Sequence, residues 1–293
     1  MNKQKARLVS IVILTWNRKN DLRETLGKIR ETAYSPIEII VVDNASTDGT
    51  AEMVSSEFPA VNYLRQSKNS GIAGYNVGFK AAGGEFVVAL DSDSYPGFDA
   101  ITNMVALFDK NRDTGCIAFD VRSHQNIRPF NEAVDEVTRE VAGYHGAGVG
   151  FRKELFEKAG YWFEPFFLYF NEMDHALNIL KAGYKILHST AVRAYHKSSP
   201  VQRGSSRASY FYVRNGLWLV WRHYPLRRML PVTFYIIYLA VSESFYQRTL
   251  VYLVALRDAF KVSSKIIAER EPLDNKLFQK VRVPLPLLFG RFA

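Results

Sequence analysis

Asp91-Ser92-Asp93 sets two carboxylates two residues apart, directly after the apolar run Phe86-Val87-Val88-Ala89-Leu90. At the end of a buried strand, that spacing lets oxygens of both side chains reach one hard divalent cation. A cation also relieves the repulsion that otherwise raises the pKa of paired acids. Asp-x-Asp is common in turns, so its weight comes from the strand before it. His196 follows the short run 191–195 and precedes Lys197-Ser198-Ser199. Imidazole joins carboxylates around Mn²⁺ or Mg²⁺; a histidine satisfied within the fold is the structural alternative. Asn171-Glu172-Met173-Asp174 opens a helical pattern with two further acids. Asn171 as N-cap with Asp174 as its N3 partner explains them structurally, and a general base explains them chemically. The aromatic stretch 162–170 before them supplies an apolar rim that raises a carboxylate's pKa toward a useful value.

Two glycine-containing segments accompany these acids. Asn69-Ser70-Gly71-Ile72-Ala73-Gly74-Tyr75-Asn76-Val77-Gly78 runs into a helix, and N–H groups near Asn69 and Gly71 can face an anion. Its spacing does not match the dinucleotide fingerprint, and a tight loop with close helix–sheet packing is the alternative. Gly146-Ala147-Gly148 either lets a substrate approach the backbone or marks a strand irregularity.

The elements that must position these residues follow from periodicity. Residues 8–14, 37–42 and 86–90 are near-continuous apolar, largely β-branched runs, each ending in polar residues. Such runs read as parallel strands buried on both faces. Residues 21–32, 47–58 and 69–84 carry helical patterns between them, which gives a doubly wound α/β sheet. Ligands of such sheets bind beyond the carboxyl ends of the strands, so Asp43, Asp91 and Asp93 are expected at one edge. Further on, the pattern predicts a helix after Asp99, an irregular stretch over 124–139 and a glycine-interrupted strand over 144–151. A short helix over 152–160, a helix over 172–181 and two short strands at 184–187 and 191–195 follow.

Composition bounds the rest. With 293 residues, 47% hydrophobic and 23% charged, the chain is long enough for a sizeable core and is not disordered by composition. A single cysteine excludes a disulfide framework and a cysteine-rich zinc site, and favours a reducing compartment. The net charge of +9 is uneven: residues 1–199 carry 23 Lys+Arg against 24 Asp+Glu, and residues 200–293 carry 15 against 5. We therefore expect two regions, 1–205 and a basic, aromatic, mainly helical 206–293. Basic and aromatic residues around apolar helices suit an anionic membrane surface; packing on the first region or on a second copy of the chain is the alternative. No nucleic-acid module accompanies the charge, so nucleic acid is not expected as a partner. The N-terminal run lacks a small-residue cleavage site and reads as a strand rather than a signal peptide. The longest uncharged stretch, 229–242, falls short of the roughly 20 residues a spanning helix needs, so no simple transmembrane helix is expected.

Taken in order, these segments resemble family 2 glycosyltransferases. The resemblance rests on Ser10-Ile11-Val12-Ile13-Leu14-Thr15-Trp16-Asn17-Arg18, on Val41-Val42-Asp43-Asn44-Ala45-Ser46-Thr47-Asp48-Gly49-Thr50, and on Leu90-Asp91-Ser92-Asp93. The 69–78 and 146–160 segments, Asn171–Asp174 and His196 follow in the family's order, and the whole spans about residues 8–200. It looks most like the rhamnosyltransferase-like, bacterial surface-polysaccharide branch. The resemblance implies a GT-A fold: a mixed, mostly parallel sheet flanked by helices, here with a helical C-terminal extension. It implies inverting transfer of a hexose or deoxyhexose from a UDP- or dTDP-sugar to a glycan or lipid-linked acceptor. Asp43 would hydrogen-bond the nucleoside near Thr15 and Asn17. Asp91 and Asp93 would hold Mg²⁺ or Mn²⁺ on the diphosphate, with His196 as a further ligand. Many relatives read Glu-Asp-x-Asp where this chain reads Asn171-Glu172-Met173-Asp174. The usual base then falls on Glu172, one methylene longer than the aspartate it replaces, with Asp174 as runner-up. A lipid-linked acceptor implies a peripheral enzyme on the cytoplasmic face of the cell membrane. Two other functions fit some of the same residues. One is a catalytically silent sugar- or nucleotide-binding subunit. The other is a sugar nucleotidyltransferase, although the loop after the first strand lacks the glycines common there.

Overall fold

The computed structural model describes residues 6–126, 136–197 and 206–281. These residues fall into two compact units, Met1–Phe167 with Asn178–Ser198, and Leu168–Leu177 with Ser199–Ala293.

The first unit is built on one nine-stranded sheet. Its strands are β1 (Val9–Thr15), β2 (Ile37–Asp43), β3 (Asn62–Arg65), β4 (Phe86–Asp91), β5 (Ser94–Pro96), β6 (Thr114–Ser123), β7 (Thr138–Val141), β8 (Val149–Arg152) and β9 (Lys185–His196). The order is β3-β2-β1-β4-β8-β6-β9-β5, with β7 also paired to β9. Strand β1 runs parallel to β2 and β4, and β2 runs parallel to β3. Strand β8 is antiparallel to β4 and β6, which makes the sheet mixed. Helices α1 (Lys19–Ile29), α2 (Thr50–Glu57), α3 (Gly74–Ala81), α4 (Ala100–Lys110) and α5 (Leu155–Ala159) belong to this unit. The start of α6 (Asn171–Lys181) falls in the second unit and its last turn in the first.

The central strands are buried on both faces, as their unbroken apolar runs require. Ile11, Ile13, Val41, Val88 and Leu90 pack with Leu22 and Leu26 of α1 and with Met104 and Phe108 of α4. Each such side chain removed from water contributes about 1.5–3 kcal/mol. On α3, Gly74 and Gly78 allow close approach: a Cβ there would sit 2.4 Å from Leu14 and 2.3 Å from Val12. The glycines of 74–78 thus serve helix–sheet packing.

Several elements differ from the sequence reading. Strand β6 has no counterpart in the sequence reading; it lies between the helix expected after Asp99 and the stretch 124–139 read as irregular. The two short strands expected near 184–195 are one strand, β9, with a register break: Phe119 pairs with Ser189, but Asp120 pairs with Arg193. The glycine-interrupted strand is shorter, starting at Val149. Of the irregular 124–139 stretch, residues 127–135 lie outside the described residues.

The second unit holds α7 (Ser206–His223), α8 (Leu226–Tyr246), α9 (Val251–Lys261), α10 (Ser263–Ala268) and α11 (Asn275–Val281), together with the start of α6. Leu177, Leu219 and Leu273 form its small core with Phe170, Met173 and Phe278. Trp221 Nε1 donates to Thr233 Oγ1 at 2.9 Å and ties α7 to α8. The uncharged stretch judged too short to span is the middle of α8, which has 21 residues and takes Arg227, Arg228 and Glu243 into the helix. By length and composition alone, α8 is the one helix among the described residues apolar enough to cross a membrane. The helix is thus longer than the uncharged run 229–242, on which the expectation of no spanning helix rested.

Candidate active site

The register of the parallel strands decides what meets at the sheet edge. Thr15 is the partner of Asp43, and Leu14 the partner of Asp91. Strand β5 follows Asp91-Ser92-Asp93 at once and pairs with the end of β9, setting Ser94 opposite His196. That pairing brings a histidine more than 100 positions away beside the two aspartates. His196 Nε2 lies 3.2 Å from Asp93 Oδ1 and 3.8 Å from Asp91 Oδ2. One ligand atom from each of Asp91, Asp93 and His196 falls within 4.8 Å of the others. Two hard oxygens and an imidazole nitrogen suit Mn²⁺ or Mg²⁺.

The electrostatics of the cluster agree with that donor set. The Asp91 side chain is 41% exposed, yet desolvation, then the Asp93 charge, raise its pKa above the ordinary carboxylate value. Against the penalty of burial, the His196 hydrogen bond and the His196 and Arg18 charges hold Asp93 below it. The bond to Asp93 in turn raises His196. A divalent cation would relieve the strain on Asp91 by supplying opposite charge.

Several partners in this cluster were not singled out from the sequence. Arg18 Nη1 donates to Asp93 Oδ2 at 2.8 Å. Tyr75 donates its hydroxyl to Asp91 Oδ1 at 3.0 Å, and Thr25 donates to the Ser92 carbonyl at 3.0 Å. Arg18 sits in the polar loop after β1 and Tyr75 in the glycine-rich segment. Both segments were visible, but not which of their side chains would turn inward.

A second network joins the ends of β1, β2 and β3. Asp43 is fully buried. Its Oδ1 accepts from Ser46 N at 2.9 Å and from the Ser46 hydroxyl, and its Oδ2 accepts from Tyr63. Burial, then the Asp43 hydrogen bond, push the Tyr63 phenol pKa up, so it remains a donor. Asn17 has φ 53°; its N–H donates to Ser46 Oγ at 2.9 Å and its Oδ1 accepts from Thr47 N at 2.8 Å. Thr15 is buried, and its Oγ1 has no hydrogen-bond partner among the described residues. Asp43 and Asn17 thus hold the loops after β1 and β2 together. An open groove of about 660 Å³ beside α1 and α2 includes Ser46 and Arg65 in its lining, but not Asp91, Asp93 or His196.

Asn69 and Gly71 have a structural task. Asn69 Oδ1 accepts from Gly71 N at 2.8 Å, and the Gly71 carbonyl accepts from Asn44 Nδ2 at 2.9 Å. Gly71 has φ +61°, and a Cβ there would lie 2.1 Å from the Phe167 carbonyl oxygen. Ile72 N donates to that same oxygen at 2.9 Å. The glycine therefore fixes the backbone at Phe167, which has positive φ, as do Tyr169 and Phe170 further on. Backbone held this far from its preferred region is found at functional sites more often than elsewhere.

In the second unit, Glu172 and Asp174 differ in environment. Glu172 is half-buried in the first turn of α6. Asp174 is fully buried, and its Oδ1 accepts from Arg222 Nε at 2.8 Å and lies 2.7 Å from His223 Nε2. Against burial, the His223 and Arg222 charges hold the Asp174 carboxyl below its usual value. The helix begins at Asn171 itself, and Asp174 is spent on Arg222 and His223 rather than on a capping box.

Comparison with known proteins assigns this arrangement to a family. The sequence model of glycosyl transferase family 2 matches residues 10–160, just over half of the chain. The chain belongs to glycosyl transferase family 2. Its similarity to the poly-beta-1,6-N-acetyl-D-glucosamine synthase of Staphylococcus epidermidis is 25% identity over 177 residues, 54% of this chain and 43% of that one. The match thus spans less than half the length of that relative. Among solved structures, a mannosyltransferase from Pyrobaculum calidifontis in complex with GDP-Man and Mn²⁺ superposes with a TM-score of 0.60 at 19% identity, covering 90% of this chain and 79% of that one. TarS 1-349 of S. aureus in complex with UDP-GlcNAc gives 0.58 at 18% identity, covering 89% and 83%. At such identities the likeness shows the fold alone, and that fold is the GT-A fold. Residues of the family match supply Asp43, Asp91 and Asp93; Glu172, Asp174 and His196 lie beyond its end.

Proposed function

We propose that this family 2 glycosyltransferase is an inverting, divalent-cation-dependent enzyme of surface-polysaccharide synthesis. Its donor would be a UDP- or dTDP-hexose or deoxyhexose, and its acceptor a hydroxyl of a glycan or lipid-linked sugar. The observation that carries this reading is the convergence of Asp91, Asp93 and His196 within 4.8 Å at the carboxyl end of β4. These three residues would hold the cation, Mg²⁺ or Mn²⁺. When bound, it supplies electrostatic stabilisation for charge developing on the leaving diphosphate. Thr15, Asn17 and Asp43 would shape the nucleoside site, with the unsatisfied Thr15 hydroxyl as a group still able to bond a ligand. Asn69 and Gly71 would position the adjoining loop. Glu172 would remove the acceptor proton as its oxygen attacks the anomeric carbon from the face opposite the leaving group. Asp174 would anchor that helix turn, since a carboxylate already paired with arginine and histidine is a poor base. A lipid-linked acceptor fits an enzyme at the cytoplasmic face of the membrane.

Thermal midpoints with UDP, dTDP and GDP, each with and without Mn²⁺, test the reading. A ligand at about 100 times its dissociation constant adds roughly 2.7 kcal/mol of stability, enough to resolve. A shift with one nucleotide only when metal is present is the expected result. No shift with any nucleotide, or an equal shift without metal, would overturn metal-dependent donor binding.

A further inference from the structure

One face of α8 is left uncovered by the described residues. Met229, Thr233, Ile236, Ala240, Glu243 and Ser244 are buried within the second unit. The other side of the same helix exposes Leu226, Leu230, Phe234, Tyr238, Phe245 and Tyr246, with Phe234 at 69% and Phe245 at 80% of full exposure. The first four recur every four residues, so they form one stripe along the helix. Past the turn, Leu250 and, in the first turn of α9, Leu253 and Val254 are exposed as well. Only 28% of the most apolar 18-residue window of α8 is buried. A helix whose hydropathy reaches that of membrane segments is thus apolar on its outer side.

Charge identifies what covers it. Arg227 and Arg228 are exposed at one end of the stripe and Arg248 at the other. The only acid in α8 is Glu243, which is buried and accepts from Gln247 Nε2 at 2.8 Å. The outer face therefore presents aromatic and aliphatic side chains bounded by cations, with no anion among them. Residues 200–293 as a whole carry 15 cations against 5 anions. Apolar rings seat at the boundary of headgroups and acyl chains, and arginines reach the phosphates beside them.

We infer that the outer face of α8, with the start of α9, lies flat on an anionic lipid bilayer. Phe234, Tyr238 and Phe245 enter the interface, while Arg227, Arg228 and Arg248 engage lipid phosphates. The helix does not cross, because its inner face carries Thr233 and Glu243 packed against protein. The inference deepens the membrane placement proposed above and rests on it for the identity of the partner.

Co-sedimentation of the full chain with vesicles tests it, comparing phosphatidylcholine alone with phosphatidylcholine containing phosphatidylglycerol. The protein is expected to bind the anionic vesicles and to weaken as salt is raised. The double variant F234S/Y238S should lose about tenfold or more in vesicle affinity. R227Q/R228Q should lose the preference for anionic lipid and most of the salt dependence. Thermal midpoint and Mn²⁺-dependent nucleotide binding, measured without vesicles, should stay unchanged in both. Those two readouts report separately on folding and on the transferase reading. Undiminished sedimentation of F234S/Y238S would overturn the inference. So would a wild-type protein that ignores vesicles but forms a dimer which F234S/Y238S dissociates, since the face would then be a contact between copies.

Discussion

Two positions on the first turn of α6 separate Glu172 from Asp174, and their surroundings set different expectations. Glu172→Gln should lower turnover by about 10² to 10⁴, the usual worth of a general base, while donor-nucleotide binding is retained. Loss of both together, or neither, would take the base assignment away from Glu172. Asp174→Asn leaves Arg222 and His223 facing a neutral group in a fully buried place. Breaking such a pair costs about 3–5 kcal/mol, so a clear fall in thermal midpoint is expected. The same pair sets a pH dependence. Because the folded-state pKa of Asp174 is depressed, its contribution is complete above the ordinary carboxylate pKa of about 3.9 and disappears as pH falls through the lower folded value. The midpoint gap between wild type and Asp174→Asn should therefore be wide at neutral pH and close in acid. A gap independent of pH would show that the ion pair is not its source. At the cation cluster, Asp93→Ala should abolish the Mn²⁺-dependent part of nucleotide binding; an unchanged Mn²⁺ dependence would remove Asp93 from the ligand set.

Among the elements, the loop at Gly71 makes the sharpest demand on the sequence. Alanine there combines positive φ with a Cβ 2.1 Å from a backbone oxygen, so Gly71→Ala should destabilise by about 2 kcal/mol or more. A midpoint equal to wild type would mean that the loop can retreat from Phe167. What the sequence made legible follows from burial. Strands β1, β2 and β4 lie in the sheet interior, and their runs are unbroken because both faces are covered. Strand β6 escaped notice because only its first half is fully buried; Asp120, Arg122 and Ser123 interrupt the pattern where cover thins. Strand β9 read as two because residues 190–192 fall in the register break against β6. Strands β3, β5 and β7, of three or four residues, carry too few positions to show a period. Asp91, Asp93 and His196 were legible as types, and the β5–β9 pairing that unites the histidine with the aspartates was not. Arg222 and His223 gave no warning at all, since two cations late in an apolar helix look like favourable last-turn charges.

At the scale of the whole molecule, each of the two units holds its own set of the candidate residues. The cation cluster and the Asp43 network belong to the first, and the opening turn of α6, with Glu172 and Asp174, belongs to the second. Within the second unit that turn is fastened by Arg222 and His223 at the end of α7 and by Asn215 Nδ2, which donates to the Leu168 carbonyl at 2.6 Å and to that of Tyr169 at 3.1 Å. If Glu172 is the base, as proposed above, the C-terminal helices would serve the chemistry by holding this turn. A chain ending at residue 205 keeps every strand of the sheet and the whole cation cluster, but loses the partners of Asp174 and of the strained turn before it. It is expected to retain Mn²⁺-dependent nucleotide binding within a few-fold and to lose sugar transfer. Supplying a soluble acceptor should not restore transfer, because the missing part is the anchorage of α6 and not access to lipid. Full transfer by the truncated chain to a soluble acceptor would show that Glu172 is held without α7. Loss of nucleotide binding as well would show that the sheet unit does not stand without the helices.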